Sequence, residues 1–287
     1  MCYLKYSEFD KRMKEYEYTS RNYLLKKTPV IIRIDGKAFH TFTKGLKKPF
    51  DDILSKTMRD TMRYLCEHIQ GCVLGYTQSD EINLLLIDYQ DIDTDAWFDY
   101  NIQKCASVSA SIASVTFNHY WRQNVIDAIY DCSYDPDNKN YADNIIPEKQ
   151  EEYNILTSIY MKKDLACFDA RSFNMPKDEV CNYFYWRQQD ATRNSIQMVG
   201  RAYFSHKQLL NKSCNEIQDM LMAEYGVNWN NTPTKYKRGS CCVRQYDTKA
   251  DKKYWINDGE IPIFKGDGRK YIEDLIYLQD KSIEKSD

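Results

Sequence analysis

Pro29-Val30-Ile31-Ile32-Arg33-Ile34-Asp35-Gly36 is a β-branched run closed by Asp-Gly. Such a run predicts a buried strand that feeds a tight turn, with a carboxylate at its end. Downstream, Asp51 or Asp52 is placed to cap a helix that carries Ile53, Leu54, Met58, Met62, Leu65, Cys66 and Ile69 on one side. Cys72-Val73-Leu74-Gly75-Tyr76, the turn Thr77-Gln78-Ser79-Asp80-Glu81, and Ile82-Asn83-Leu84-Leu85-Leu86 then read as strand, turn, strand. Strand, helix and a hairpin with acids at its bend is an α+β order, and it predicts an antiparallel sheet with helices on one face.

Outward from this centre, residues 5–26 have a rough three-to-four spacing of Tyr6, Phe9, Met13 and Tyr16 or Tyr18, which predicts a helix. A second helix is expected from about Trp97 to Trp121, a strand over Ala166–Phe173, and a long helix from about Asp178 to Phe204. The polar stretch 133–155 reads as a long surface loop or an internal boundary. It divides the chain into residues 1–132, which hold both strand-end acids, and residues 133–287, a helical region integrated with them. From about Asp247 the tail is charged, then weakly amphipathic through Tyr271, Leu275, Ile276 and Leu278.

The 287 residues are 43% hydrophobic and 29% charged, which supports a sizeable core and argues against disorder. The net charge of −2 excludes a protein that coats nucleic acid through overall basicity, so any RNA contact must come from local patches. The 24 tyrosines fit core and sheet packing, or stacking on bases. Ten cysteines without a CxxC pair read as reduced, small core residues of a cytoplasmic protein rather than a zinc site. The charged N-terminus has no signal-peptide pattern, and no apolar run approaches a membrane span.

Two acidic motifs carry the chemistry. A carboxylate at a strand end (Asp35), with a glycine beside it that lets phosphate or metal approach the backbone, is one half of a metal site. Asp80-Glu81, on a segment able to pair beside that strand, is the other. Hard oxygen ligands of this kind suit magnesium, and a pair of ions activates an attacking oxygen while stabilising a leaving one. Each motif alone also fits an ordinary hairpin turn. Arg33, Lys37, His40, Lys44, Lys47 and Lys48 surround the first motif and could meet a triphosphate. In Trp186–Ser195, Arg187, Asp190 and Asn194 fall at i, i+3 and i+7 on one helix face, either a salt-bridged exterior or a phosphate reader. Lys235-Tyr236-Lys237-Arg238-Gly239 adds a basic loop with an aromatic, a possible RNA-backbone contact.

The residues Arg33-Ile34-Asp35-Gly36-Lys37-Ala38-Phe39-His40 with Lys48-Pro49, and Gly75-Tyr76-Thr77-Gln78-Ser79-Asp80-Glu81, resemble the two acidic motifs of the tRNAHis guanylyltransferase family. Phe168-Asp169-Ala170-Arg171 and Tyr185-Trp186-Arg187-Gln188-Gln189-Asp190 resemble later blocks, and Trp229-Asn230-Asn231 and Tyr236-Lys237-Arg238-Gly239 match more loosely. The resemblance runs in order from about residue 5 to 245. It implies a polymerase-palm-like fold that works in the 3′–5′ direction: a 5′-monophosphate RNA end is activated with ATP, or an existing triphosphate is used, and a nucleotide is then added from GTP or another NTP. It implies that Asp35, the Gly36 carbonyl and Asp80 hold two magnesium ions with Glu81 in support, Asp35, Asp80 and Glu81 being the catalytic set. It assigns the nucleotide to Asp35, Gly36, Lys37, Ala38, Phe39, His40, Ser79 and Asp80, with Lys48 and Lys104 on triphosphate. Arg187 and Asn194 would hold the second nucleotide or the RNA end, with Lys237 and Arg238 on RNA. The partners implied are tRNA and NTPs, in a homotetramer. Where eukaryotic members carry His-Ile-Asn-Asn-Leu-Tyr-Asn, this chain has Thr192-Arg193-Asn194-Ser195-Ile196-Gln197-Met198 and keeps only the first Asn. That departure resembles the guanylyltransferase-like branch, which implies templated repair of 5′-truncated tRNA. A palm-type nucleotide cyclase and a non-catalytic RNA-binding protein are the alternative readings; the arginine-bearing helix argues against the first and the intact acid pair against the second.

Overall fold

The computed structural model describes residues 7–135, 140–141, 145–247 and 251–278. Six strands form one antiparallel sheet in the order β6-β1-β3-β2-β7-β8. They are β1 (Val30–Gly36), β2 (Cys72–Gln78), β3 (Glu81–Leu86), β6 (Phe168–Asn174), β7 (Ser240–Asp247) and β8 (Lys252–Asp258). A separate two-residue ladder joins β4 (Tyr134–Asp135) to β5 (Asn140–Tyr141). β1 lies inside the sheet, between β6 and β3, and is fully buried at Val30, Ile31, Ile32 and Ile34, as its β-branched run requires.

Period-two alternation sends the two sides of each strand into different cores. Val30, Ile32, Ile34, Ile82, Leu84 and Leu86 pack under α3 (Asp52–His68) and α4 (Ile102–Asp131). Ile31, Leu85 and Phe173 face α6 (Lys177–Tyr203) and α10 (Lys270–Ile276). The α+β class and the antiparallel sheet are as expected from sequence, but helices cover both faces rather than one. The acidic-motif strands are therefore apolar on both sides for most of their length. The C-terminal half of α6 leaves the sheet and builds a satellite core with α7 (His206–Leu209) and α8 (Cys214–Tyr225) through Ile196, Val199, Ile217 and Leu221. β6 pairs with β1 and β7 with β2, so strands from both sides of residue 132 share the sheet.

Several expected boundaries move. The first helix, α1, spans Glu8–Tyr18 rather than 5–26; residues 5 and 6 lie outside the described residues. Its C-terminal limit is Thr19, whose N–H closes on the Glu15 carbonyl. The helix expected at Trp97–Trp121 is a 3₁₀ turn over Trp97–Tyr100 followed by α4. Phe98 and Asp99 adopt left-handed φ, and the Asn101 side chain caps the Lys104 N–H to start the helix. The stretch read as a loop over 133–155 contains α5 (Gln150–Ile155), which runs into a π-helical turn at Leu156–Tyr160. The charged tail forms β8 and α10.

The hairpin strand β2 lies close to α3, and Gly75 is the reason it can. A Cβ there would stand 2.5 Å from Cys66 Sγ and 2.8 Å from Met62 Cγ. Both are fully buried core atoms with nowhere to retreat. Gly75→Ala is expected to destabilise the fold by about 1–3 kcal/mol, read as a lower urea midpoint with an unchanged slope.

Candidate active site

Register fixes the acids. Asp35 lies opposite Glu81 on β3 and opposite Asp169 on β6. Alternation puts Arg33 and Asp35, Glu81 and Asn83, and Asp169 and Arg171 on the α6 side of the sheet. The β2–β3 turn is Ser79-Asp80, with Ser79 in the left-handed region at φ 51°. The Gly36 N–H donates to the Asp80 carbonyl at 3.1 Å, which ties the end of β1 to that turn. Both sequence motifs thus meet at one point. Burial raises the Asp35 carboxyl above its usual range, and the negative charges of Asp80 and Glu81 raise it further. Burial likewise raises Asp80, with Glu81 adding to it and the Ser79 hydrogen bond opposing it. These two carboxylates repel each other where they stand.

Glu81 is different. It is 2% exposed and each oxygen is occupied. Arg187 donates from Nε at 2.7 Å to Oε1 and from Nη2 at 2.8 Å to Oε2; Arg33 Nη2 lies 2.6 Å from Oε2, and Asn83 Nδ2 donates to Oε1 at 2.7 Å. Tyr183 Oη in turn donates to Asn83 Oδ1 at 2.5 Å. Arg187, 4% exposed, continues to Asp190 at 2.8 Å, and Arg193 pairs with the other oxygen of Asp190. The i, i+3 spacing on α6 is therefore a salt-bridged face, with Arg187 turned inward as a tie between α6 and β3. Gln188 is also structural: its amide donates to the Pro262 carbonyl and accepts from the Phe264 N–H.

Beside the acid pair opens a cavity of about 620 Å³. Of the residues named from sequence, Gly36, Ala38, Phe39, His40, Lys48, Ser79, Asp80 and Asn194 line it. Lys37 is exposed beside it, with its N–H on the Cys167 carbonyl. Lys104 does not line the cavity; it sits in the first turn of α4, its ammonium 5.6 Å from the Phe98 ring centre. Lys237 reaches the Asn230 carbonyl at 2.6 Å, and the Arg238 carbonyl accepts from Tyr76 Oη at 2.8 Å. Arg59 on α3 and Arg201 on α6 also line the cavity. Spacing could not single them out, because each sits among ordinary polar positions of a helix.

One wall is α9 (Thr234–Arg238). Tyr236 lies parallel to Phe50, with ring centres 4.6 Å apart, and its hydroxyl donates to Asp52. Lys235 joins the same carboxylate at 3.3 Å, and the two donors hold Asp52 below its ordinary pKa, Tyr236 contributing most. Gly239 ends this element at φ +88°, where a Cβ would meet the Thr77 carbonyl at 2.6 Å, so the position demands glycine. The resulting site pairs a crowded dicarboxylate with a cavity whose walls carry Lys47, Lys48, Arg59, Arg201 and Lys235.

Residues 10–176 match the family model described as tRNAHis guanylyltransferase. The tRNA(His) guanylyltransferase of Debaryomyces hansenii is 28% identical over 246 residues, covering 80% of this chain and 79% of that protein. The Saccharomyces cerevisiae enzyme of the same name is 24% identical over 243 residues, covering 80% and 88%. Among solved structures, a bacterial tRNA(His) guanylyltransferase-like protein in complex with ATP is 40% identical, with TM-score 0.77, covering 94% of this chain and 100% of that one. A bacterial tRNA(His) guanylyltransferase-like protein in complex with GTP is 38% identical, with TM-score 0.73, covering 95% and 100%.

Replacing Arg187 by Leu strips Glu81 of its bidentate partner while Arg33 remains. The expected loss is about 3 kcal/mol in chemical denaturation, the lower end for breaking a buried pair. Arg187→Lys should restore only part of it, since a single ammonium cannot reproduce the fork.

Proposed function

The chain belongs to the tRNAHis guanylyltransferase family, and from that membership we propose that it joins nucleotides to the 5′ end of tRNA in the cavity beside Asp35 and Asp80. It is a nucleotidyltransferase. The observation that carries the site assignment is Asp80 on the wall of a cation-lined cavity, with Asp35 joined to it through Gly36, which also lines that wall, and raised by its charge. Among the described residues neither acid has an ion-pair partner, and Arg33, two residues before Asp35, is bound to Glu81.

That donor set fits magnesium. Among the described residues no three acid, histidine or cysteine side chains form a ready metal cage. Two carboxylates and the Gly36 carbonyl are what magnesium takes from a protein when substrate phosphates and water complete its shell. Bound ions would supply Lewis-acid activation of the attacking oxygen and neutralise the leaving group. Asp35, Gly36 and Asp80 would hold them, and Glu81 would keep Arg33 and Arg187 in place beneath. His40, Lys48 and Ser79 would orient the triphosphate, with Lys47, Arg59 and Arg201 balancing its charge. In the activation step a 5′-phosphate oxygen of the RNA bonds to the α-phosphorus of ATP and pyrophosphate leaves. In the second step the 3′-hydroxyl of an incoming nucleotide bonds to the RNA 5′-phosphorus, its proton is lost, and AMP leaves. The ATP and GTP in the two bacterial neighbours accord with both steps.

Within the family we place the chain in the guanylyltransferase-like branch, acting by templated repair of truncated 5′ ends. The support is twofold: Thr192–Met198 departs from the eukaryotic motif on the α6 wall of the cavity, where Asn194 and Met198 sit, and the bacterial guanylyltransferase-like proteins are 40% and 38% identical. A homotetramer is part of the same reading.

A 5′-extension assay tests it, with magnesium, ATP and labelled NTPs on a tRNA lacking its first nucleotide and on full-length tRNAHis. The truncated tRNA should gain the complementary nucleotide; a single G on tRNAHis alone would mean strict guanylyltransferase action instead. Asp35→Ala should lower the rate by at least about 10²-fold without lowering the melting temperature, because it removes a repelling charge. Chelation should abolish addition and magnesium should restore it. Addition that survives both would refute the metal assignment.

A further inference from the structure

The segment that carries Lys47 and Lys48 into the cavity, Thr43 to Asp51, has little regular structure of its own. It is held from behind by Leu156–Lys163, a stretch far away in sequence. Tyr160 Oη donates to Asp51 Oδ2, and the Lys47 N–H reaches both that carboxylate oxygen, at 3.1 Å, and Tyr160 Oη, at 3.2 Å. Asp51 Oδ1 meanwhile caps α3 through the Leu54 N–H at 2.8 Å. One carboxylate thus serves the helix with one oxygen and the loop with the other. Lys163 Nζ adds a bond of 2.5 Å to the Lys44 carbonyl, and Ile159 packs beside Gly45.

The brace is itself rigid. Tyr160 is 5% exposed, its ring lies parallel to Trp121 at 5.6 Å, and Trp121 Nε1 donates to the Tyr160 carbonyl at 3.2 Å. It closes the π-helical turn Leu156–Tyr160, a rare conformation that recurs at functional sites. Burial and the adjacent Asp51 raise the Tyr160 hydroxyl above the usual phenol range, so it remains a donor. Tyr160 is not among the residues lining the cavity, so it acts only through Asp51 and the Lys47 backbone.

We propose that Tyr160 is a positioning residue for triphosphate binding, setting Lys47 and Lys48 through Asp51. The proposal rests on the reading that these lysines meet the triphosphate. Tyr160→Phe removes the hydroxyl and keeps the stacked ring. In the full-length protein, titration calorimetry with magnesium-ATP and with inorganic tripolyphosphate should give affinities about fivefold to tenfold weaker, the loss of one hydrogen bond to a charged group. KM for the nucleotide should rise by the same factor, with kcat within about twofold and the melting temperature within a few degrees. Asp51→Asn combined with Tyr160→Phe should cost less than the two single losses together. Wild-type protein that binds both probes alongside a Tyr160→Phe variant that binds them equally well would overturn this inference alone; wild-type protein that binds neither would overturn the nucleotide site as well. Should Tyr160→Phe not fold, Lys163→Met removes the second tie at the surface and is expected to weaken tripolyphosphate binding about twofold, and no change would refute the brace.

Discussion

The site depends on one buried carboxylate. Glu81 draws Arg33 from β1, Asn83 from its own strand and Arg187 from α6 onto two oxygens. Such a cluster is tolerable inside a protein only when every partner is present, because desolvation of each ion is offset by the others. It therefore acts as a geometric specification more than a source of net stability. It sets the height of α6 over the sheet, and with it the wall of the cavity that Asn194 and Met198 form. It also engages the Arg33 guanidinium, so that among the described residues Asp35 and Asp80 have no ion-pair partner.

The same economy of charge runs through the rest of the cavity. The neighbouring carboxylates at the start of α3, Asp51 and Asp52, are each taken by a tyrosine, Tyr160 and Tyr236, from separate parts of the chain. What remains toward the open space is mostly cationic. A chain with a net charge of −2 thus presents a locally positive pocket without a basic surface.

Local pattern made the central elements legible. β1, the β2–β3 hairpin, α3 and α6 follow from a β-branched run, an acidic bend, an Asp cap and a 3.6-residue period, and the two acidic motifs do converge. The resemblance named the family, and Ala38, His40, Lys48 and Asn194 do line the cavity. What stayed hidden was long-range. That Arg187 turns inward follows from Glu81, 106 residues away, and no spacing within α6 could reveal it. α5 lies in the polar stretch and the π-turn just after it, where Tyr160 is held by Trp121 and Asp51. The start of α4 is set by left-handed residues ahead of its Asn101 cap, which no side-chain periodicity marks. The second layer of helices is not legible locally, because a strand buried on both faces reads the same as one that alternates poorly.

The sequence distance between Glu81 and Arg187 has a consequence for how the protein is made. A ribosome adding about 5–20 residues per second completes the hairpin roughly 5–20 s before it delivers Arg187. Until then β3 carries a carboxylate that cannot be buried at full cost compensation, and β1 lacks β6 along its free edge. The acidic turn can therefore exist on the nascent chain only in an open, hydrated form. The cavity walls are complete only after α6 and α9 have emerged, so an N-terminal fragment released early would carry the acidic motifs without the walls that enclose the cavity beside them.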